Sequence, residues 1–310
     1  MAANNAVICY LFSVKGKIGV KGKVGLGFKP AATETENRWQ RLTAAFLIGL
    51  VAGLFGGLIG VGGGAIMIPL MVRHFKLSQH QGHGTSLMAL VFTGLAGAFT
   101  YYLHGSVDFM AAGLLAAAAI CTARFGALYA HALPEWQLKR AFGCFLICVS
   151  LLLLSKPYLS HLAVLSHPIV GWGKVAVLLA CGGVAGFIAG MMGVGGGGLM
   201  IPAMVLLLGF SQYTAQGTSL LAIAPGGAVG AFTHRRLGNV VHRILPGLVS
   251  GIMLGAYLGG NLAHLLAEAQ LRLIFGAALI WLGTRDIRAA YRKRRKAEAR
   301  SRREAGGLAK

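Results

Sequence analysis

The 310-residue chain is 56% hydrophobic and only 12% charged, with a mean hydropathy of +0.68, whereas a soluble domain carries about 25% charged residues. That balance excludes an ordinary soluble domain and reads as an integral membrane protein with the lipid bilayer as its partner. The formal net charge of +21 does not describe a nucleic-acid surface, since seven of the 29 Lys and Arg lie at or before Arg41 and eleven between Arg285 and Lys310. Basic tails around an apolar body are what the positive-inside rule keeps on the cytoplasmic face.

Residues 1–41 form a basic extension that reads as disordered. Its "KGKIGVKGKVGLGFKP" is low-complexity sequence, and "AVICYLFSV" is short and lacks a preceding basic region, so it makes a poor signal peptide. Residues 42–155 hold five apolar segments, at roughly 42–60, 64–75, 84–103, 109–131 and 138–155. The first two are short and are separated by "GVGGGAIMIP", which begins at Gly60. A linker with two prolines covers 156–173. Residues 174–288 then repeat the pattern, at roughly 174–192, 198–210, 217–234, 244–266 and 271–287, with "GVGGGGLMIP" beginning at Gly193. A basic tail, 289–310, closes the chain. The five cysteines (Cys9, Cys121, Cys144, Cys148, Cys181) have no metal-ligand spacing and read as small apolar fillers.

The two glycine motifs lie 133 positions apart, and the offset holds without a gap. "GTSL" at Gly84 falls on "GTSL" at Gly217, and "GAFT" at Gly97 on "GAFT" at Gly230. Lys and Arg alternate sides between the copies. Arg73 and Lys76 follow the second segment of the first copy, while Arg235, Arg236 and Arg243 follow the third segment of the second. The positive-inside rule therefore predicts an all-α polytopic membrane protein made of two inverted repeats, each of about five helical segments.

A glycine run costs a helix roughly 1 kcal/mol per residue relative to alanine. Broken helices are tolerated in a membrane where they line a cavity or lie within protein, and paired breaks in inverted halves point to a transport site. Backbone N–H groups and the positive start of the following helix suit an anion. The candidate substrate-binding residues are accordingly Gly60, Gly62, Gly63 and Gly64 with Thr85 and Ser86, and Gly193, Gly195, Gly196 and Gly197 with Thr218 and Ser219. The hydroxyls open the next segment, as donors or as helix caps. His83, its counterpart Gln216, and Arg124 are candidates for coupling or anion contact. All eight acids (Glu34, Glu36, Asp108, Glu135, Glu268, Asp286, Glu298, Glu304) fall in tails, loops or segment ends, so no carboxylate is expected mid-membrane. Pseudo-symmetry predicts that Gly63 and Gly196 are comparably sensitive to substitution.

The duplicated G-x-G-G-G-x-x-x-x-P followed by G-T-S-L, with "LKRAFG" at Leu138 and "LRLIFG" at Leu271, resembles the TauE/SafE family of sulfite exporter-like permeases over about residues 42–288. The resemblance implies an inner-membrane protein of about eight spans that moves sulfite, sulfonates or other small organosulfur anions. It implies no enzyme activity, cofactor or metal. The basic extension and Cys121 depart from the family pattern. The alternatives are a passive anion channel, or a transporter of another small solute or of a metal ion. Gly-rich turns also cradle nucleotides, but the strand and partner acid of such a site are missing.

Overall fold

The computed structural model describes residues 38–129, 135–155 and 169–307. The extension up to residue 37 and most of the 156–173 linker lie outside the described residues. Among the described residues every regular element is helical. The first copy supplies α1 (Arg38–Ile59), α2 (Gly64–His74), α3 (Gln79–Leu103), α4 (Phe109–Tyr129) and α5 (Glu135–Ser155). The second supplies α6 (Trp172–Met192), α7 (Gly197–Leu207), α8 (Gln212–Arg236), α9 (Leu245–Leu265, after a 3-10 turn at His242–Ile244) and α10 (Glu268–Gly307). Five of them, α1, α3, α4, α6 and the stretch leading into α9, are long and apolar enough to cross a membrane.

The short segments are hairpin arms. Helices α2 and α7 have 11 residues each, about 16 Å at 1.5 Å per residue, roughly half of a hydrocarbon core about 30 Å thick. Each runs back along the helix before it. At the α1–α2 tip Gly63 abuts Ala52, while Arg73 and His74 lie at the level of Ala44 and Leu47. In the second copy the Ile169 amide, just before α6, donates to the carbonyl of Leu207 at the end of α7 (3.0 Å). Both pairs are therefore hairpins, with their two ends on the same side of the break.

Glycine faces hold the long helices together. On α1, Gly49, Gly53 and Gly57 press on the backbone of α9 at Leu248, Ile252 and Ala256. Their counterparts on α6, Gly182, Gly186 and Gly190, press on α4 at Leu115, Ala119 and Ala123. Such close approach is available only where no Cβ intervenes, the usual basis of helix association in lipid. Equivalent helices meet across the middle. Gly97 of α3 packs on Leu220 of α8, and Gly230 of α8 packs on Leu87 of α3. Late residues of one thus meet early residues of the other, and α3 and α8 run antiparallel. Helices α5 and α10 do the same, with Gly143 against Ile287 and Leu154 against Gly276.

Element boundaries differ from the hydropathy reading at the starts of α3 and α8 and at the end of α10. Helix α3 starts at Gln79, because Ser78 caps it: Ser78 Oγ accepts from the Gln81 amide (3.2 Å) and Gln81 Oε1 from the Ser78 amide (3.1 Å), a capping box. Ser211 caps α8 through the Thr214 amide (3.1 Å). Thr85, Ser86, Thr218 and Ser219 therefore sit inside their helices, and the capping role falls to Ser78 and Ser211. Helix α10 continues well past 287, through the basic tail to Gly307, since Lys, Arg, Ala and Glu are good helix formers whatever their hydropathy. Cys121, Cys144 and Cys148 are exposed, so they do not fill the core, and Cys9 lies outside the described residues.

Candidate functional site: the meeting of two hairpin tips

The α1–α2 tip and the α6–α7 tip meet back to back. A Cβ placed on Gly64 would lie 2.6 Å from the Gly193 carbonyl oxygen, and one on Gly197 would lie 2.6 Å from the Gly60 carbonyl oxygen. Both sit where each chain leaves its break and starts a short helix. The serines complete the exchange: Ser86 Oγ donates to the Gly193 carbonyl (2.8 Å) and Ser219 Oγ to the Gly60 carbonyl (3.4 Å). Each copy's third helix thus holds the other copy's break. All of Gly60–Gly64 and Gly193–Gly197 are buried.

Among the described residues, none supplies an acceptor to the amides of residues 61–65 or 194–198. A helix start leaves such groups unpaired, and burying them unpaired is costly. Here two sets of them, at two positive helix ends, lie within one small volume. The space between is closed. Beside Gly195 and Gly196 is a cavity of about 10 Å³, lined by apolar groups such as Leu87, Leu90 and Met200, which holds at most one water molecule.

The two tips are equivalent but not identical. Gly63 has φ +71°, a left-handed conformation, and a Cβ there would run into the Ala52 carbonyl. Gly196 has φ −89°, and its Cβ would meet the Ala185 Cβ at 2.7 Å. Only the first requires glycine for its backbone angles.

His83 and Gln216 back onto opposite tips. His83 abuts Gly193, and its Nδ1 pairs with the Met192 carbonyl. Gln216 abuts Gly60, and its Oε1 accepts from the Tyr101 hydroxyl at 2.7 Å. Gln216 Nε2 is buried and has no partner among the described residues. The same Tyr101 hydroxyl lies 3.1 Å from the Gly57 carbonyl, and its counterpart His234 places Nε2 3.2 Å from the Gly190 carbonyl. Thr85 and Thr218 face away from the tips. Their hydroxyls accept the amides of Val241 and Asp108, both at 3.0 Å, and so fasten the far loop of the other copy. Arg124 is exposed on α4, whereas every break residue is buried.

One charged pair near the site escaped the sequence reading. Arg285 donates to the Ala65 carbonyl in the first turn of α2 and pairs with Asp286 at 2.8 Å. Asp286 is only 4% exposed, so one carboxylate is buried in the helical body. The first copy has Leu152 and Leu153 at these positions, and that break in the repeat was the available signal. The other described carboxylates have structural partners. Asp108 pairs with Lys174 (3.4 Å), and Glu268 with Arg272 (3.0 Å). The Glu135 side chain lies outside the described residues.

Paired hairpins whose broken tips meet inside a bundle of long apolar helices define a multi-pass membrane protein. The model of the sulfite exporter TauE/SafE family matches residues 6–153 and 177–309, and the chain belongs to that family. Curated relatives bear the same class of description. A "probable membrane transporter protein", YunE, from Bacillus subtilis is 28% identical over 260 residues, covering 78% of this chain and 95% of the relative. A second from Bacillus subtilis, YdhB, is 28% identical over 231 residues, covering 73% and 91%. One from Xylella fastidiosa is 27% identical over 241 residues, covering 76% and 88%. No solved structure matches the chain.

Proposed function

We propose that this membrane transporter is a permease for a small anion (sulfite, a sulfonate or another organosulfur anion) held by the backbone N–H groups of the two hairpin tips. The observation that carries this reading is the double row of acceptor-free amides at residues 61–65 and 194–198. An oxyanion presents several acceptor oxygens to such amides, and the two helix starts favour negative charge. The family's description names sulfite. The joint between the tips is closed, and the cavity of about 320 Å³ beside Val61, Gly63 and Ala65 is walled by apolar groups, so on this reading the tips part during the transport cycle. His83 and Gln216, one on each tip, are the side chains placed to contact the ion as it enters or leaves. The chain resides in the cytoplasmic (inner) membrane with both termini and the basic loops at 73–80 and 235–243 inside.

Uptake of labelled sulfite into proteoliposomes tests this, with unlabelled sulfonates as competitors. Saturable, competed flux is expected from the wild type. Gly64→Val and Gly197→Val insert side chains into the joint between the tips and should reduce flux to the protein-free background. Wild-type vesicles that take up neither sulfite nor any sulfonate would refute the anion reading.

A further inference from the structure

We propose that His264, near the end of α9, is the proton-binding residue through which pH acts on the hairpin tips. This rests on the transport reading above and names its coupling group. His264 lies on the side opposite the basic loops, beside the 104–108 turn, within a cluster of rings. His104 stacks on it at a centroid distance of 4.0 Å, Tyr213 stacks at 5.3 Å, and Tyr101 approaches edge-on at 4.7 Å.

The hydrogen bonds around the imidazole fit both of its protonation states. Nδ1 lies 2.8 Å from the Gly260 carbonyl, so it carries the hydrogen of the neutral ring. Nε2 lies 3.3 Å from Ser106 Oγ, which in turn lies 3.3 Å from the His104 carbonyl. In the neutral ring the Ser106 hydroxyl donates to Nε2. When Nε2 takes a proton from water it becomes the donor, and the serine hydrogen turns to the His104 carbonyl. One proton and one positive charge are gained, and no hydrogen-bonding group is left unmatched. The stacked Tyr213 face also suits a cation.

From this ring a polar file reaches the first tip. The Tyr101 hydroxyl has one hydrogen and two acceptors, Gln216 Oε1 and the Gly57 carbonyl. A charge on the adjoining imidazole shifts the choice between them, and Gln216 bears directly on Gly60. The other groups on this side are already paired: Asp108 with Lys174, Glu268 with Arg272 and with the Gln212 amide, and Tyr213 with the Leu266 carbonyl. His104 Nδ1 lies 2.9 Å from the Thr100 carbonyl. Helix α1, also packed on α9, has no titratable side chain after Arg41. The repeat places His131 at the equivalent position of the first copy, outside the described residues.

Two readouts test this. In nanodiscs holding the full chain with labelled histidine, the resonance removed by His264→Gln should titrate between about pH 4 and pH 7. In proteoliposomes, wild-type sulfite flux should change about tenfold between about pH 5 and pH 7, while His264→Gln and His264→Asn vary by less than about twofold over the same range. Ser106→Ala should shift the midpoint of the profile, because it removes the group that serves both states. A resonance that does not titrate in this range, or a His264→Gln profile that follows the wild type, would overturn the proposal. A wild type that moves no anion refutes the transport reading instead, and the resonance still decides the proton site.

Discussion

Gly63 and Gly196 stand at equivalent positions, yet only Gly63 holds a left-handed backbone. A non-glycine residue in that region costs about 1–2 kcal/mol, and a Cβ at Gly63 also meets the Ala52 carbonyl. At Gly196 the obstacle is a neighbouring methyl group on Ala185, which shifts more easily than backbone. Gly63→Ala should therefore lower the thermal unfolding midpoint in detergent clearly more than Gly196→Ala. Equal midpoints would mean that the two tips share one conformation. The motif identified both glycines as special, and pseudo-symmetry alone predicted comparable sensitivity. The difference arises from what each tip leans on, Ala52 in one case and Ala185 in the other, and that is a matter of tertiary contact. Thr85 and Ser86 give the same lesson. Adjacent hydroxyls in a repeated motif looked like one functional pair. One turns to the opposite tip and the other to the Val241 amide, because neighbours on a helix point about 100° apart.

The long helices were legible as apolar runs, and their partners were not. Gly49, Gly53 and Gly57 announce by their four-residue spacing that something approaches closely, but not that it is α9 of the other copy. Substitutions should separate packing glycines from free ones. Gly53→Leu and Gly186→Leu drive a side chain into the backbone of Ile252 and Ala119 respectively, and both should abolish the monodisperse peak in detergent size-exclusion chromatography. Gly113, on α4, has nothing within 4 Å of a built Cβ. Gly113→Ala should keep the peak and raise stability by about 1 kcal/mol, the helix-propensity difference. The end of α10 was misjudged for a related reason. Hydropathy reports which residues avoid water, and it falls at 287, while the backbone remains helical through a basic sequence. Asp286 looked like a segment end on the same ground, although Arg285 makes its burial tolerable by pairing with it.

The inversion of the two copies, read from the alternating Lys and Arg, is a proposal with which the antiparallel packing of α3 on α8 and of α5 on α10 accords. On that proposal each copy crosses an odd number of times, and a hairpin that returns to its own side leaves the count unchanged. Charge alone was blind to the hairpins, since a pair that spans and a pair that dips leave the same loops on the same sides. Labelling of single cysteines in a cysteine-free background checks the arrangement. Arg73→Cys and Arg236→Cys should react with an impermeant reagent from one side, and Ala267→Cys, in the exposed loop before α10, from the other. Reaction of Arg73→Cys and Ala267→Cys from the same side would contradict the inverted arrangement.

The proposed binding mode rests on backbone amides, which no side-chain substitution removes, so the most direct measurement follows those amides themselves. Hydrogen exchange by mass spectrometry on the nanodisc-embedded chain, with and without sulfite, resolves the peptides that cover residues 61–65 and 194–198. Both segments should exchange more slowly when sulfite is present, together and over the same concentration range, since one ion occupies both tips. Unchanged exchange in both segments, or protection confined to another part of the chain, would contradict the cradle.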